Sequence, residues 1–146
     1  MRAFNENHWP IENAVCLNPG KKNAIAVFED PNCGYCQKLD EMTLSKLSNT
    51  TVYVFFFPFL GEDSVYQSAQ ILSAQNPALA YRAVMVEGQR LDVEPTKEAM
   101  KKVQANIELA NELGIHGTPA IYLGDGVGPF GFISYDNLKT KILAQA

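Results

Sequence analysis

The sequence contains few cysteines and histidines, and this limits the kinds of site that it can build. Three cysteines and two histidines occur in 146 residues. A disulfide-stabilised scaffold would need more cysteines in a shorter chain, whereas a chain of this length can bury a core without crosslinks. The cysteines are therefore not expected to form a disulfide framework, and any cysteine chemistry is expected at a particular pair of residues.

The chain also lacks an excess of positive charge. Twelve Lys and Arg residues stand against sixteen Asp and Glu residues, so the net charge is -4. Surfaces that bind phosphate backbones are basic, which excludes nucleic acid as an expected partner. With 47% apolar and 19% charged residues, the composition is that of one globular domain and not of a disordered chain.

Long hydrophobic runs are missing as well. The most apolar stretch, TVYVFFFPFL, is interrupted by Pro58, and a membrane-spanning helix needs about 20 apolar residues. The first ten residues, MRAFNENHWP, contain no apolar segment of the kind found in secretory signals. We therefore expect a chain without a signal peptide, either from a cytosolic protein or from an exported protein after processing or excision.

Apolar segments follow one another in the order of an α/β domain. Residues 50–59 are apolar on both faces, which predicts helices on both sides of a largely parallel sheet. A strand, a crossover helix and a second strand form a right-handed βαβ unit at the start. The predicted elements are a strand at 23–29, a helix at 33–47, a strand at 50–59, helices at 62–75, 77–88 and 95–114, an antiparallel hairpin of 118–123 with 130–133, and a helix at 135–145 that Ser134 caps.

Cys33 and Cys36 are the strongest candidates for chemistry. They lie in FEDPNCGYCQKL, where the first strand meets the following helix, and Gly34 and Tyr35 separate them. The N-terminus of a helix favours a thiolate, and the two-residue spacing turns Cys36 back toward Cys33. The pattern therefore favours a redox dithiol with room for a substrate chain.

Other interpretations of these cysteines remain open. A zinc site would need Cys16 and either His8 or His116 as further ligands, and neither histidine is at a usual ligand spacing. Two unconnected core cysteines are disfavoured because DPNCGY is loop-like. Cys16 is expected to be a small buried residue in the helix-like segment 11–16, and His116 is expected to be a loop residue.

Thr118 and Pro119 form a second notable position. Pro119 begins an apolar strand, where a missing N–H group is tolerated at a first residue or an edge. A cis peptide bond between Thr118 and Pro119 is expected there.

Three segments of the chain together resemble a known family. VFEDPNCGYCQKLDE, VYVFFFPFLGEDS and LGIHGTPAIYLGDG, in this order and at these separations, are similar to the catalytic domain of the DsbC/DsbG family of periplasmic disulfide isomerases. The resemblance extends from about Trp9 to the C-terminus. It implies a thioredoxin-like α/β domain at 23–146, with a helical insertion at about 62–114, after a lead-in segment at 1–22 that holds part of a linker or first helix.

The resemblance also implies the roles of individual residues. Cys33 becomes the nucleophile and Cys36 the resolving cysteine, and no metal or organic cofactor is expected. Thioredoxins carry a buried carboxylate in the strand before the cysteines, but the matching place falls at Val27, so this carboxylate is expected to be absent. The implied substrate-binding residues are Gly34, Tyr35, Thr118 and Pro119.

As a member of this family, the protein would be a thiol-disulfide isomerase or reductase. The resemblance implies misbridged secreted proteins as substrates, the periplasm of a Gram-negative bacterium as location, and a membrane thiol reductase of the DsbD type as electron donor. The alternatives are a dithiol oxidase of the DsbA type and, with less support, a metal-binding CxxC module.

Assembly is the last expectation from the resemblance. Family members carry an N-terminal dimerisation domain and a linker helix, and the residues before Ala24 are too few to hold them. We therefore expect an excised catalytic domain, or else a natural single-domain relative. In either case this chain would be a monomer, and the parent of an excised domain would be a homodimer.

Overall fold

A four-stranded mixed β-sheet organises the chain. The computed structural model describes residues 4, 5 and 7–145. The elements in chain order are a 3₁₀ turn at Ile11–Asn13, β1 at Val15–Leu17, β2 at Asn23–Glu29, α1 at Gly34–Met42, a 3₁₀ turn at Leu44–Lys46, β3 at Thr50–Phe56, α2 at Glu62–Ser73, α3 at Pro77–Met85, α4 at Lys97–Glu112, β4 at Ala120–Tyr122 and α5 at Tyr135–Leu143.

The sheet has the strand order β1-β3-β2-β4. Strands β2 and β3 are parallel, whereas β1 is antiparallel to β3 and β4 is antiparallel to β2. The expectation of a largely parallel sheet is therefore wrong, and the predicted βαβ unit accounts for the one parallel pair. Only a crossover such as α1 can return the chain in the same direction, while the short connection from β1 to β2 reverses it.

Both faces of the sheet are covered, as the apolar strands predict. On one face, β2 and β3 pack against α1, α3 and α5, where Leu39, Tyr81 and Leu138 are buried. On the other face, Phe28 and Phe55 stack with ring centroids 5.3 Å apart. The second face is covered by Trp9 and by the C-terminal half of α4.

The segment that precedes β2 differs from the prediction. Residues 11–16 were expected to be helix-like, but a 3₁₀ turn ends at Asn13 and β1 follows. Val15 pairs with Val54 of β3, so Cys16 lies in an edge strand and is half-buried. The local sequence of this short segment is compatible with either a strand or a helix. The pairing of Val15 with Val54 of β3 therefore sets the strand conformation.

Helix α1 is shorter than the predicted 33–47. It ends at Met42 because Thr43 leaves helical geometry, with φ at -127°. The buried Thr43 hydroxyl donates to the carbonyl oxygen of Ile133 at 2.7 Å. A contact with a residue that is distant in the sequence therefore ends α1. After Thr43 the chain forms the 3₁₀ turn at Leu44–Lys46.

The predicted C-terminal hairpin is present only in part. Strand β4 forms, but its partner segment is reduced to one bridge between Ile121 and Phe130. Pro129 precedes this bridge and has no N–H group to extend the ladder.

The helical predictions for 62–114 and for the C-terminus are confirmed. Asn76 caps α3 with Pro77 in its first turn, and α3 ends at Met85, before the expected stop at Gly88. Gly114, at φ +74°, follows the end of α4, and Ser134 caps α5 by accepting a hydrogen bond from the Asn137 N–H at 3.2 Å. Within the described residues, no helix is long and apolar enough to cross a bilayer.

Candidate active site

Cys33 lies at the N-cap of α1, directly after β2 and its turn. Its Sγ accepts a hydrogen bond from the Cys36 N–H at 3.3 Å. Its thiol also lies 3.5 Å from the carbonyl oxygen of Thr118, to which it can donate. The first free N–H groups of a helix and the helix dipole both favour negative charge at this sulfur.

Cys36 lies one turn inside α1 and is fully buried, whereas Cys33 is 8% exposed. Burial raises the pKa of the Cys36 thiol, and the nearby Glu29 carboxylate raises it further. The two cysteines thus have unequal environments. Cys33 is the less covered of the two and lies at the helix N-terminus, and Cys36 is held as a protonated thiol behind it.

The loop before β4, which contains Thr118 and Pro119, lies against Cys33. Thr118 and Pro119 are joined by a cis peptide bond, which confirms the expectation from the sequence. The contact between the Thr118 carbonyl and Cys33 joins two segments that are 85 residues apart. Gly34 and Tyr35 are exposed beside them, so four residues named from the sequence surround Cys33.

Asp30 fixes the turn that precedes Cys33. Its fully buried carboxylate accepts hydrogen bonds from the Asn32 N–H at 2.8 Å, the Ser64 hydroxyl at 2.6 Å and the Leu60 N–H at 2.9 Å. The Cys33 N–H donates to the Asp30 carbonyl at 3.0 Å. The turn is therefore tied to the start of α2 on one side and to α1 on the other.

A buried carboxylate lies beneath the cysteines, contrary to the expectation from the sequence. Val27 occupies the place predicted for it, but Glu29, two residues later on the same face of β2, is fully buried. The Tyr81 hydroxyl contacts Glu29 and also Asp40 of α1. Burial, and then the charge of Asp40, raise the pKa of Glu29 well above its usual value.

Exposed apolar side chains lie on segments that are joined to the region of Cys33. Tyr35 is 64% exposed, and its ring centroid lies 6.3 Å from that of Phe132. Phe59 and Leu60 are also exposed, and the Leu60 N–H donates to the carboxylate of Asp30 in the turn before Cys33. We call these four residues, Tyr35, Phe59, Leu60 and Phe132, the apolar rim.

Sequence reasoning missed several of these residues for identifiable reasons. Glu29 could have been identified from the sequence, because a carboxylate at the end of a strand that is otherwise apolar is unusual. Tyr81 and Asp40 could not, since both look like ordinary residues of amphipathic helices.

His116 is exposed in the loop after α4, as expected. Among the described residues, no group of three or more His, Cys, Asp or Glu side chains is arranged to hold a metal ion.

Comparisons with known proteins agree with this geometry. The sequence matches the thioredoxin-like domain family over residues 14–145. It is 38% identical over 134 residues to the probable thiol:disulfide interchange protein DsbC of Bordetella parapertussis, covering 91% of this chain and 47% of that protein. The chain thus spans about half the length of the curated relatives that it matches.

Similar solved structures include the following two. The catalytic domain of Proteus mirabilis ScsC has a TM-score of 0.77 at 26% identity, over 90% of this chain and 88% of that one. A disulfide interchange protein from Neisseria gonorrhoeae has a TM-score of 0.84 at 24% identity, over 92% and 96% of the two chains, and supports the fold. The chain belongs to the thioredoxin-like domain family, and the similarity to DsbC inferred from its own residues is confirmed.

Proposed function

We propose that the protein is a thiol-disulfide oxidoreductase in which Cys33 is the nucleophile and Cys36 the resolving cysteine. The observation that carries this proposal is the asymmetry of the pair. The sulfur of Cys33 lies at the α1 N-terminus and accepts the Cys36 N–H, while the sulfur of Cys36 is fully buried behind it. Exchange requires a thiolate that a substrate can reach and a second thiol nearby, and the position of Cys33 at the helix N-terminus, with Cys36 one turn behind it, supports these two roles.

The proposed reaction begins when the Cys33 thiolate attacks one sulfur of a substrate disulfide. A Cys33–substrate disulfide forms and the other substrate sulfur leaves as a thiolate. If a substrate thiolate then attacks the mixed disulfide, Cys33 is released unchanged and the substrate is isomerised. If Cys36 loses its proton and attacks Cys33, the substrate leaves reduced and the Cys33–Cys36 pair is oxidised.

The surroundings of Cys33 favour a protein substrate. The apolar rim exposes one aromatic pair, Tyr35 with Phe132, together with Phe59 and Leu60, beside a sulfur that is itself mostly covered. Misbridged proteins expose apolar side chains next to their wrong disulfides, so the rim would hold the substrate while thiols exchange. The Thr118–Pro119 loop, with Gly34 and Tyr35, would align an extended substrate segment against Cys33.

We further propose the cellular setting from the similarity to DsbC. Isomerisation requires Cys33 as a thiolate, so the pair must be kept reduced in an oxidising compartment. This requirement favours the periplasm as location and a membrane thiol reductase of the DsbD type as electron donor. Secreted proteins with wrong disulfides would be the substrates, and the full-length protein would be a homodimer.

Trapping of mixed disulfides tests the roles of the cysteines. Cys36→Ala should accumulate a covalent complex with a disulfide-bearing substrate such as insulin, because no thiol remains to resolve it. Cys33→Ala should neither trap insulin nor reduce it. Equal trapping by the two variants, seen on a non-reducing gel, would contradict the assignment.

The equilibrium with glutathione separates an isomerase or reductase from a dithiol oxidase. We expect the Cys33–Cys36 disulfide to persist in glutathione buffers that are reducing enough to open the disulfide of a dithiol oxidase of the DsbA type, because the disulfide of such an oxidase is unstable relative to its dithiol form. In practice, the protein and a DsbA-type oxidase are titrated side by side in the same buffers. A disulfide as easily reduced as that of the oxidase would contradict the isomerase assignment.

The apolar rim can be tested separately from the sulfur chemistry. Tyr35→Ser combined with Phe132→Ser should raise KM for a protein disulfide about 30-fold, since each aromatic ring that the substrate covers contributes about 1 kcal/mol to such contacts. Reaction with a small disulfide should change much less. Leu143→Ser, an equally exposed position at the end of α5, is the matched control. An unchanged KM in the double variant would exclude the rim as substrate surface.

A further inference from the structure

Lys38 places a positive charge beside the aromatic part of the apolar rim. Tyr35 lies two residues after Cys33, in the first turn of α1, and Lys38 follows three residues later. Residues three apart are neighbours on the surface of a helix. The Lys38 ammonium lies over the Tyr35 ring, 5.7 Å from its centroid, where the electrons of the ring attract a cation. Both side chains are exposed to solvent.

The charge of Lys38 is not neutralised within the part of the chain that the structure describes. Neither an ion pair nor a hydrogen bond joins its ammonium to another described residue. The acids next to Cys33 are different. Asp30 is fully buried among its three donors, and Asp63, which contacts Asn32, is paired with Arg90 at 2.9 Å. The cation on Tyr35 therefore remains available to a bound molecule, whereas these two carboxylates are occupied.

Tyr35 connects this cation to a second aromatic ring. The Tyr35 and Phe132 centroids lie 6.3 Å apart, and the two side chains are 64% and 43% exposed. Apolar rings beside an uncompensated ammonium make a mixed surface. Such a surface binds best a segment that has both apolar side chains and a carboxylate.

We infer that Lys38 selects disulfide substrates that carry a carboxylate close to the cysteine that Cys33 attacks. The inference rests on the proposed role of Cys33 as nucleophile. In the attack, Cys33 Sγ bonds to one substrate sulfur, the substrate disulfide breaks, and the other sulfur leaves as a thiolate. Lys38 takes no part in these bonds and acts by binding the carboxylate. Since an extended segment advances about 3.3 Å per residue, the carboxylate is expected within about three residues of the attacked cysteine.

Lys139 provides a comparison that isolates the position of the charge. Its ammonium also lies 5.7 Å from the centroid of a tyrosine ring, that of Tyr135 in α5. Lys139 and Tyr135 line a small pocket with Asn23 and Thr50, which begin β2 and β3, whereas Cys33 follows the end of β2. Lys139 therefore has the same kind of contact at the other end of the sheet, and replacing it changes the net charge equally.

The test compares the attack of Cys33 on three small disulfides of different charge. The dianion is 5,5′-dithiobis(2-nitrobenzoate), the neutral disulfide is 2,2′-dithiodipyridine, and the dication is cystamine. Stopped-flow absorbance follows the first two, and quenched samples follow the loss of the reactive thiol with cystamine. The measured quantity is the rate constant of each charged disulfide divided by that of the neutral one. This ratio removes any effect of a substitution on the reactivity of Cys33 itself.

The anionic-to-neutral ratio should depend on the charge at position 38. At low ionic strength we expect Lys38→Gln to lower it about threefold and Lys38→Glu about tenfold, the size of a Coulomb interaction between a dianion and a unit charge roughly 10 Å away in water. The cationic-to-neutral ratio should rise in the same two variants. Lys38→Arg should keep both ratios, because it retains the charge.

Ionic strength and the Lys139 variant separate a local charge from shape and from net charge. At about 0.5 M salt the differences between the Lys38 variants should nearly disappear, because charges this far apart are then screened. A loss of packing would persist at high salt. Lys139→Gln should leave both ratios unchanged at every ionic strength.

Peptide disulfides extend the test to the proposed kind of substrate. Three peptides that differ only in a Glu, Gln or Lys two residues from the cysteine are compared. The unsubstituted protein should show its lowest KM with the Glu peptide, and Lys38→Glu should prefer the Lys peptide. Tyr35→Ser should raise KM for all three peptides, since the ring contacts apolar parts that they share.

Two kinds of failure can be told apart. Equal KM values for the three peptides in the unsubstituted protein, or equal anionic-to-neutral ratios in that protein and in Lys38→Glu at low ionic strength, would overturn the inference about Lys38. An equal change of the ratio in Lys139→Gln and Lys38→Gln would also overturn it, because net charge would then explain the effect. If the neutral disulfide does not react with Cys33 at all, the proposed function itself is wrong.

Discussion

At the scale of single residues, Asp30 does most to place Cys33. Three groups donate to its buried carboxylate, and two of them come from the segment that leads into α2. The turn from β2 to α1 is thus held from outside the βαβ unit. The position of the Cys33 sulfur therefore depends on the Asp30 side chain, which does not contact it through a hydrogen bond but holds the turn before it.

Asp30→Ala should therefore destabilise the fold and loosen the turn. The substitution leaves the Leu60 N–H and the Ser64 hydroxyl without their acceptor, which is expected to lower the free energy of unfolding by about 2–4 kcal/mol. Urea denaturation measures this loss. Asp63→Ala is the matched control, because Asp63 is exposed and binds Arg90 on the surface, so its loss should be clearly smaller. Equal losses would show that the buried acceptor has no special role.

At the scale of elements, the end of α1 is joined to the loop that carries Phe132. The Thr43 hydroxyl donates to the Ile133 carbonyl at 2.7 Å, and Phe132 lies next to Tyr35 at the other end of α1. This hydrogen bond therefore joins the C-terminal end of α1 to the loop that carries Phe132, which is one of the residues of the apolar rim.

Thr43→Val should weaken this connection while keeping the shape of the side chain. The carbonyl of the half-buried Ile133 would lose its donor, so we expect a loss of about 1 kcal/mol in the free energy of unfolding. Amide hydrogen exchange should also become faster in residues 131–134. Thr140→Val is the control, since the exposed Thr140 hydroxyl bonds only to Asp136 within α5. The connection would be disproved if exchange at 131–134 stayed at its original rate.

At the scale of the whole molecule, the buried acids make stability depend on pH. Burial raises the pKa of Asp40 from its usual value of 3.8 to about 7, so the folded state binds more protons than the unfolded state between these pH values. Stability is then greatest below about pH 4 as far as this group is concerned, and it falls as pH rises toward 7.

Asp40→Asn should flatten this dependence. Because the substituted side chain cannot ionise, the variant should gain stability relative to the unsubstituted protein between pH 4 and pH 8, by an amount on the order of 2 kcal/mol. The measurement is urea denaturation of both proteins across that range. Tyr122→Phe serves as control, and its profile should run parallel to that of the unsubstituted protein. A parallel profile for Asp40→Asn as well would mean that Asp40 is already ionised in the fold.

The sequence by itself determined the parts of this protein that depend on neighbouring residues. The structure contains the apolar runs that form β2 and β3, the helices of the region 62–114, the cap of α5 at Ser134 and the glycine at 114 after α4. It also contains Cys33 between a strand and a helix. Periodicity and capping act within a few residues, and a sequence shows them directly.

Tertiary structure alone decided the features that join distant parts of the chain. The pairing of β1 with β3, the early end of α1 at Thr43 and the reduction of the hairpin to one bridge each depend on a partner far away in the sequence. Tyr81 meets Glu29 across 52 residues and Asp40 across 41. Local patterns could place each residue on its helix or strand, but burial and shared protons arise only when packing removes water from all three side chains at once.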